Sequence, residues 1–320
     1  AQEWFVDPTT RFIQESGVIP SKWIRVPIAQ VNERVTTCDY EIKCAMDEIT
    51  PLTTRDEDAP YKSLYYDIET LGLEAETSAV IQISIVVRQG VHKKKYLLCT
   101  GVHDPISRVE VVECSSEADM LCKFRRVLVK EDADFVIAYN GVNFDNQFLS
   151  KRAELLGAKE FFYLSRYAVK PCTLRELQLS SSGMGENVLR YFDMGGRSNF
   201  DWYVKLKRDL TSEDSYSLDY MSKKFCNAQK VELASGLKWK RMSDNLECDP
   251  EYELASDSLS KRLSGGSALV TLTQDEWCAL DVTTPLCEHH WIRSGSNRYR
   301  PANTKHRAIP DLYHGTEQDR

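Results

Sequence analysis

Residues 63–68, Ser63-Leu64-Tyr65-Tyr66-Asp67-Ile68, are aromatic and branched almost without a break, and such a run is satisfied only as a strand buried in a sheet. The strand ends in Asp67-Ile68-Glu69. Side chains at i and i+2 of a strand share a face, so the two carboxylates converge. Carboxylates that close repel each other unless one is protonated or a cation bridges them. Three later segments extend the sheet. Residues 80–87 read as a second strand, 95–99 as a third and 135–139 as a fourth. Between them, 115–129 carries Met120, Leu121, Phe124 and Val127 at helical spacing, with Ser115 or Ser116 as N-cap. Residues 144–156 form a second helix, with Phe148, Leu149 and Leu156 on one side and Gly157 as its stop. Strands followed by alternating helix and strand give an α/β domain with a mixed sheet.

Upstream, short apolar segments such as Trp23-Ile24-Arg25-Val26-Pro27 precede a polar, acidic connector at 53–60, read as solvated and as a domain boundary. Downstream, 179–200 is turn-rich, with a β-hairpin expected around Gly183 to Gly185. Residues 228–268 read as irregular helix and loop. Thr273-Gln274-Asp275-Glu276 fits a capping box that opens a helix running through Trp291, and the tail after Ser294 is polar and basic.

Composition narrows the class. With 42% hydrophobic and 28% charged residues, the chain of 320 residues is globular rather than disordered. No stretch approaches the roughly 18 consecutive apolar residues of a membrane helix, so no membrane partner is expected. The first residues lack the basic start and apolar run of a signal peptide. The chain opens on Ala1 rather than Met, which suggests a fragment or a processed product. None of the 10 cysteines forms a CxxC pair, against a zinc ribbon or thioredoxin-type site, and reduced thiols in an intracellular compartment are expected. A net charge of −7 leaves a nucleic-acid partner open and suits a site that collects cations.

Two further carboxylates join the first pair. Asp145, read alone, is a first-turn carboxylate stabilised by its helix dipole, with Asn143 as the cap. Asp281, one turn after Trp277, reads alone as a solvent-facing residue beside a core Trp. Together, Asp67, Glu69, Asp145 and Asp281 put four carboxylates at two strand exits and on a helix of one α/β unit. Gathered there, they would be costly without divalent cations. Two Mg²⁺ ions about 3.5–4 Å apart, with Mn²⁺ as the alternative, could clamp a phosphodiester, activate water and stabilise the leaving oxygen.

These stretches, in this order, resemble the DEDD 3′–5′ exonuclease domain of family B DNA polymerases, especially delta-type replicative enzymes and their viral relatives. Tyr66-Asp67-Ile68-Glu69 looks like the first exonuclease motif, and Val80-Ile81-Gln82-Ile83 like the strand after it. Tyr139-Asn140-Gly141-Val142-Asn143-Phe144-Asp145, running to Leu149 and Arg152-Ala153, looks like the second motif and is the most specific. Cys278-Ala279-Leu280-Asp281-Val282-Thr283-Thr284-Pro285-Leu286 looks like the third, including a proline unusual inside a helix. The segment from Gly17-Val18 to Pro27 is similar to part of the family's N-terminal domain. The resemblance spans about residues 10–293.

It implies an α/β, ribonuclease H-like exonuclease fold with a mixed β-sheet, preceded by a small N-terminal α+β domain. The implied division is a partial N-terminal domain at 1–60, the exonuclease domain at 61–293 and a polar flexible tail at 294–320. It further implies Asp67, Glu69, Asp145 and Asp281 as metal ligands, and Asn140, Asn143 and Phe144 as DNA contacts. Asp201 reads as structural, and the turn-rich segment falls where the family has a hairpin that helps part primer from template. The implied activity is proofreading hydrolysis of single-stranded or frayed 3′ DNA ends. The implied partner is the rest of a family B polymerase, and the implied setting the nucleus or a viral replication compartment.

Two departures stand out. Trp277 occupies the position where the family usually has a Tyr that orients the attacking water, and an indole N–H can donate but not accept. A catalytically degenerate, DNA-binding exonuclease-fold module is therefore the alternative, and a stand-alone RNA nuclease a third reading. Second, no Asp-Thr-Asp pair and no Ser-Leu-Tyr-Pro-Ser run of a polymerase palm is present, so this chain alone is not expected to synthesise DNA. His289-His290 and the basic runs at 92–95 and 222–224 read as surface.

Overall fold

A computed structural model of the chain describes residues 6–226, apart from residues 21, 28–32, 56, 58, 101–105, 107, 182–184 and 211. The expected helix at 273–291 with Trp277 and Asp281, the segment 228–268 and the tail at 294–320 lie outside the described residues.

The N-terminal part starts with α1 (Pro8–Ser16), capped by Asp7, which accepts from the Thr9 and Thr10 N–H groups, and ended by Gly17 at φ 67. Strand β1 (Ile24–Arg25) pairs antiparallel with β2 (Thr50–Pro51). The polar connector after β2 is only partly solvated. The Arg55 guanidinium lies 3.9 Å from the centroid of the Trp23 ring, and the Trp23 indole donates to the Glu57 carbonyl at 2.7 Å.

The remaining elements run in the order β3 (Ser63–Thr70), β4 (Val80–Gln89), β5 (His92–Thr100), β6 (Glu110–Cys114), α2 (Glu117–Glu131), β7 (Phe135–Ala138) and α3 (Asp145–Leu155). Then come the hairpin β8 (Leu174–Ser181) and β9 (Gly185–Phe192), β10 (Ser198–Asp201), α4 (Trp202–Asp209) and α5 (Leu218–Cys226). Among the described residues, six strands make the main sheet in the order β10-β7-β3-β4-β5-β6. β10, β7 and β3 are parallel neighbours, β4 is antiparallel to both β3 and β5, and β6 is parallel to β5. The sheet is therefore mixed through β4 alone.

The period-2 pattern of β3 sorts its side chains onto two faces. Leu64, Tyr66 and Ile68 share a core with Met120, Leu121 and Phe124 of α2 and Phe148 and Leu149 of α3. Tyr65 packs on the other face with Trp202 and Leu206 of α4 and Met221 of α5. The N-cap of α2 is Ser116, whose hydroxyl accepts from the Asp119 N–H at 3.2 Å. Leu156 is not on the buried side with Phe148 and Leu149. It is the C-cap residue of α3, 37% exposed, and Gly157 turns the chain away at φ 64. Cys38, Cys44, Cys99, Cys114, Cys122 and Cys172 are free thiols, and burial pushes Cys99 up to about 12. Among the described residues, no helix is long and apolar enough to cross a membrane.

Candidate functional site

The site begins where two parallel strands part. β3 pairs with β7 only through Ser63, Leu64 and Tyr65, while its own strand continues to Thr70. From β3 the chain turns to β4 on one side, and from β7 it proceeds to β10 on the other, so the carboxyl ends of these strands flank a crevice of the kind in which open α/β sheets bind ligands. Beyond the last paired residue the Ile68 N–H would lack a partner. The Asp145 carboxylate accepts it at 3.3 Å, inserting the first turn of α3 into the gap. Asp145 stands in the first turn of α3, as expected, but it is buried and also accepts at the end of a strand.

The turn that carries Asp145 is held from below by Asp201. This residue ends β10 and caps α4, accepting from the Tyr203 and Val204 N–H groups at 3.0 and 3.4 Å. The same carboxylate accepts from the Asn140 N–H at 3.0 Å and the Val142 N–H at 3.1 Å. Asn140 takes the left-handed conformation, φ 66, that folds the chain back over the strand end. Gly141 follows because nothing larger fits. A Cβ there would stand 2.6 Å from the Ala138 Cβ. Asn143 does not cap α3 as expected, since Phe144 occupies that position and the Asn143 amide donates to the Asn140 side chain at 2.7 Å.

Asp67 and Glu69 are half-buried on β3, and by strand parity they face the α4 and α5 side. Their cross-strand neighbours on β4 are Ser84 and Gln82. Asn143 is exposed at the turn, and Phe144 packs its ring 5.3 Å from that of Phe148 while keeping a partly open edge. The structure thus brings Asp145 against the end of β3 and within the electrostatic reach of Asp67, and it places Asn140, Asn143 and Phe144 on the turn leading into Asp145, with Glu69 two residues farther along β3 than Asp67. Trp277 and Asp281 lie outside the described residues.

Tyr66, Asn146 and Gln82 were not singled out from sequence. Tyr66 and Asn146 are buried under the turn and hydrogen-bonded to each other at 2.6 Å. Gln82 is buried with its Oε1 unpartnered among the described residues. The available signal was parity. Gln82 and Ser84 are polar at alternate positions of a stretch, 80–87, that is otherwise apolar, which marks the face that looks onto Asp67 and Glu69.

Electrostatically the crevice favours a cation. Burial, and then the like charge of Asp67, hold the Asp145 carboxyl well above the usual carboxylate range. Burial raises Asp201 as well, against the pull of the N–H groups it accepts. Among the described residues, no three His, Cys, Asp or Glu side chains come together closely enough to hold a metal ion. The donors that do approach are carboxylate oxygens around a buried carboxyl crowded by its own kind, and such oxygens are hard ligands.

The family model for the exonuclease domain of DNA polymerase family B matches residues 3–221. The chain belongs to that family. The domain is a 3′–5′ exonuclease domain, and the mixed sheet described above is consistent with its ribonuclease H-like fold. Over 236 residues the chain is 32% identical to the DNA polymerase delta catalytic subunit of Dictyostelium discoideum, covering 70% of this chain and 21% of that protein. It is 29% identical to the corresponding subunit of Drosophila melanogaster, covering 71% of this chain and 22% of the relative. The DNA polymerase catalytic subunit of human herpesvirus 8 type P is 28% identical, with 72% of this chain and 24% of the relative covered. The chain therefore spans between a fifth and a quarter of the length of these relatives. It corresponds to the proofreading exonuclease region of the delta catalytic subunits. Exonuclease domains of this family are metal-dependent.

Proposed function

We propose that the chain removes nucleoside monophosphates from the 3′ ends of single-stranded or frayed DNA, in the company of the rest of a family B polymerase. The observation that carries the reading is the entry of Asp145 into the gap beside Ile68, across 77 positions of sequence, which brings the second carboxylate motif onto the first. In this reading Asp67, Glu69 and Asp145 hold two divalent ions, Mg²⁺ or Mn²⁺, and Asp281 completes the set. When bound, such ions supply Lewis acidity to the scissile phosphate and acidify the attacking water. The chain's own groups set the substrate. Asn143 and Asn140 offer amides at the turn, and the partly open ring of Phe144 offers a surface for the terminal base. Trp277 stands where a water-orienting hydroxyl would otherwise act, and its indole can donate only. The proposed domains are 1–60, 61–293 and a tail at 294–320, and the proposed setting is intracellular, in the nucleus or a viral replication compartment.

The test is digestion of a 5′-labelled single-stranded DNA by the full chain with Mg²⁺, with Mn²⁺ and with EDTA. An Asp67→Ala/Glu69→Ala variant and Asp145→Asn run beside it. A metal-dependent ladder from the 3′ end, lost in both variants, is the expected result. DNA binding without degradation would instead favour the degenerate module, and Trp277→Tyr would then show whether that residue is responsible. Activity untouched in the variants would remove these residues from the site.

A further inference from the structure

Asn146 follows the candidate ligand Asp145 and is 5% exposed, as is Tyr66, which precedes Asp67. The Asn146 amide has two partners. Its Nδ2 donates to the Arg190 carbonyl of β9 at 2.9 Å, and its Oδ1 accepts from the Tyr66 hydroxyl at 2.6 Å. The orientation is fixed by chemistry, because a backbone carbonyl can only accept and the NH₂ group must face it. The Arg190 residue is itself pinned, its N–H donating to the Val142 carbonyl at 3.0 Å. The Tyr66 proton is therefore committed to Asn146. Among the described carboxylates, Asp145 acts most strongly on that hydroxyl, ahead of Asp201 and Asp67. A Cβ on Gly141 would lie 3.4 Å from the Tyr66 hydroxyl and 3.6 Å from the Asp145 Oδ2, so the two oxygens border the same small space with no side chain of Gly141 between them.

We infer that Asn146 is a positioning residue that draws the Tyr66 hydroxyl away from Asp145 and so keeps that carboxylate free for a divalent cation. This rests on the reading of Asp145 as a metal ligand. Without the Asn146 oxygen, the buried hydroxyl turns to the carboxylate that borders the same space at Gly141 and competes there with the cation. Asn146 thereby acts on metal affinity through Tyr66. Removing the hydroxyl together with the amide removes the competitor.

The experiment measures Mn²⁺ binding to the full chain by loss of the free-ion electron paramagnetic resonance signal, with thermal unfolding recorded for each variant. Asn146→Leu is expected to weaken binding by roughly 10–100-fold, the usual consequence of disturbing a group that orients a metal ligand. Tyr66→Phe is expected to bind like the parent, and Tyr66→Phe/Asn146→Leu to recover to within about threefold of it. A purely structural role predicts otherwise, because Asn146→Leu also loses the bond to the Arg190 carbonyl, a loss that removing the Tyr66 hydroxyl cannot repair, so the double variant would stay as weak as Asn146→Leu. Equal weakening in the two single variants, unchanged binding in Asn146→Leu, or a double variant as weak as Asn146→Leu would each overturn the inference. Asp145→Asn separates the two levels. If it binds Mn²⁺ like the parent, the metal-ligand reading fails and takes the inference with it. If it loses binding while Asn146→Leu does not, the inference alone fails.

Discussion

Asp201→Asn isolates one hydrogen bond that holds the turn over the crevice. The carboxylate serves four backbone donors, Asn140, Tyr203 and Val204 at Oδ1 and Val142 at Oδ2. In the amide the single remaining carbonyl oxygen stays with the three donors on one side. The new NH₂ group then faces the Val142 N–H, donor against donor. Val142 is buried, so this leaves one orphaned N–H, at a cost of about 1–3 kcal/mol. Asp201→Ala goes further. It removes the cap of α4, at about 0.5–2 kcal/mol, and orphans the same Val142 N–H. The half-buried Asn140 N–H recovers part of its loss from water. The expected total for Asp201→Ala is about 2–5 kcal/mol, a sizeable part of the 5–15 kcal/mol that holds a typical domain folded. Urea unfolding followed by tryptophan fluorescence gives the order parent, Asp201→Asn, Asp201→Ala. The exonuclease rate on single-stranded DNA should fall in both variants, because the turn carrying Asn143, Phe144 and Asp145 is what they release. If Asp201→Asn unfolds within about 0.5 kcal/mol of the parent, the scatter of an ordinary surface change, the Val142 bond does not hold the turn and the clamp argument is wrong.

Two other perturbations test the same geometry. Gly141→Ala forces a Cβ to 2.6 Å from the Ala138 Cβ, so it should destabilise by about 1–3 kcal/mol and lower the exonuclease rate, read by thermal unfolding and by the single-strand assay; a variant as stable and active as the parent would contradict this packing. Burial raises the Glu131 carboxyl, but the Tyr96 hydroxyl at 2.6 Å and the Lys94 ammonium outweigh it and hold the group below its usual range. A folded-state value below the unfolded one contributes stability above the unfolded carboxylate range, about 4.3, and loses it as pH falls through the folded value. The stability gap between the parent and Glu131→Gln should therefore be full at pH 7 and close below about pH 4, and a gap independent of pH would show that the charge contributes nothing.

How much of this was legible in the sequence depended on whether the decisive partner was local. Ser116 caps α2 and Gly157 ends α3 because both effects are settled within one turn of chain. The alternation of β3 put Asp67 and Glu69 on one face for the same reason. The strand β6 was missed because Val111 and Val112 are flanked by Glu110 and Glu113, and only the parallel pairing with β5 makes five such residues extended. Asn143 was expected to cap a helix by its residue type. Asn140 at positive φ draws the Asn143 amide back across the turn, a preference that no helix-start rule contains. Asp145 was hardest to read, because its environment is made by a strand 77 positions away that stops pairing after Tyr65.

That early end to the pairing explains why the crevice is built from backbone hydrogen bonds more than from packed side chains. Where β3 and β7 separate, each wall has amide groups that the sheet no longer satisfies, and a buried unpaired amide is too costly to leave. Carboxylates answer this need on both walls. Asp145 takes the Ile68 N–H, and Asp201 takes those of Asn140 and Val142. The bonds that complete the fold therefore bring negative charge to the strand ends, beside Asp67 and Glu69. Each further carboxylate makes the next harder to ionise, as the raised Asp145 carboxyl records. On the proposed reading a divalent cation would reverse that penalty, since the oxygens that repel one another without it would become its ligands. Structural need and metal affinity would then have one origin in the parting of two parallel strands. Replacing a carboxylate that also closes the sheet, Asp145 or Asp201, must disturb fold and chemistry together, whereas Asp67 and Glu69 project from a strand whose ladder with β4 does not depend on their side chains.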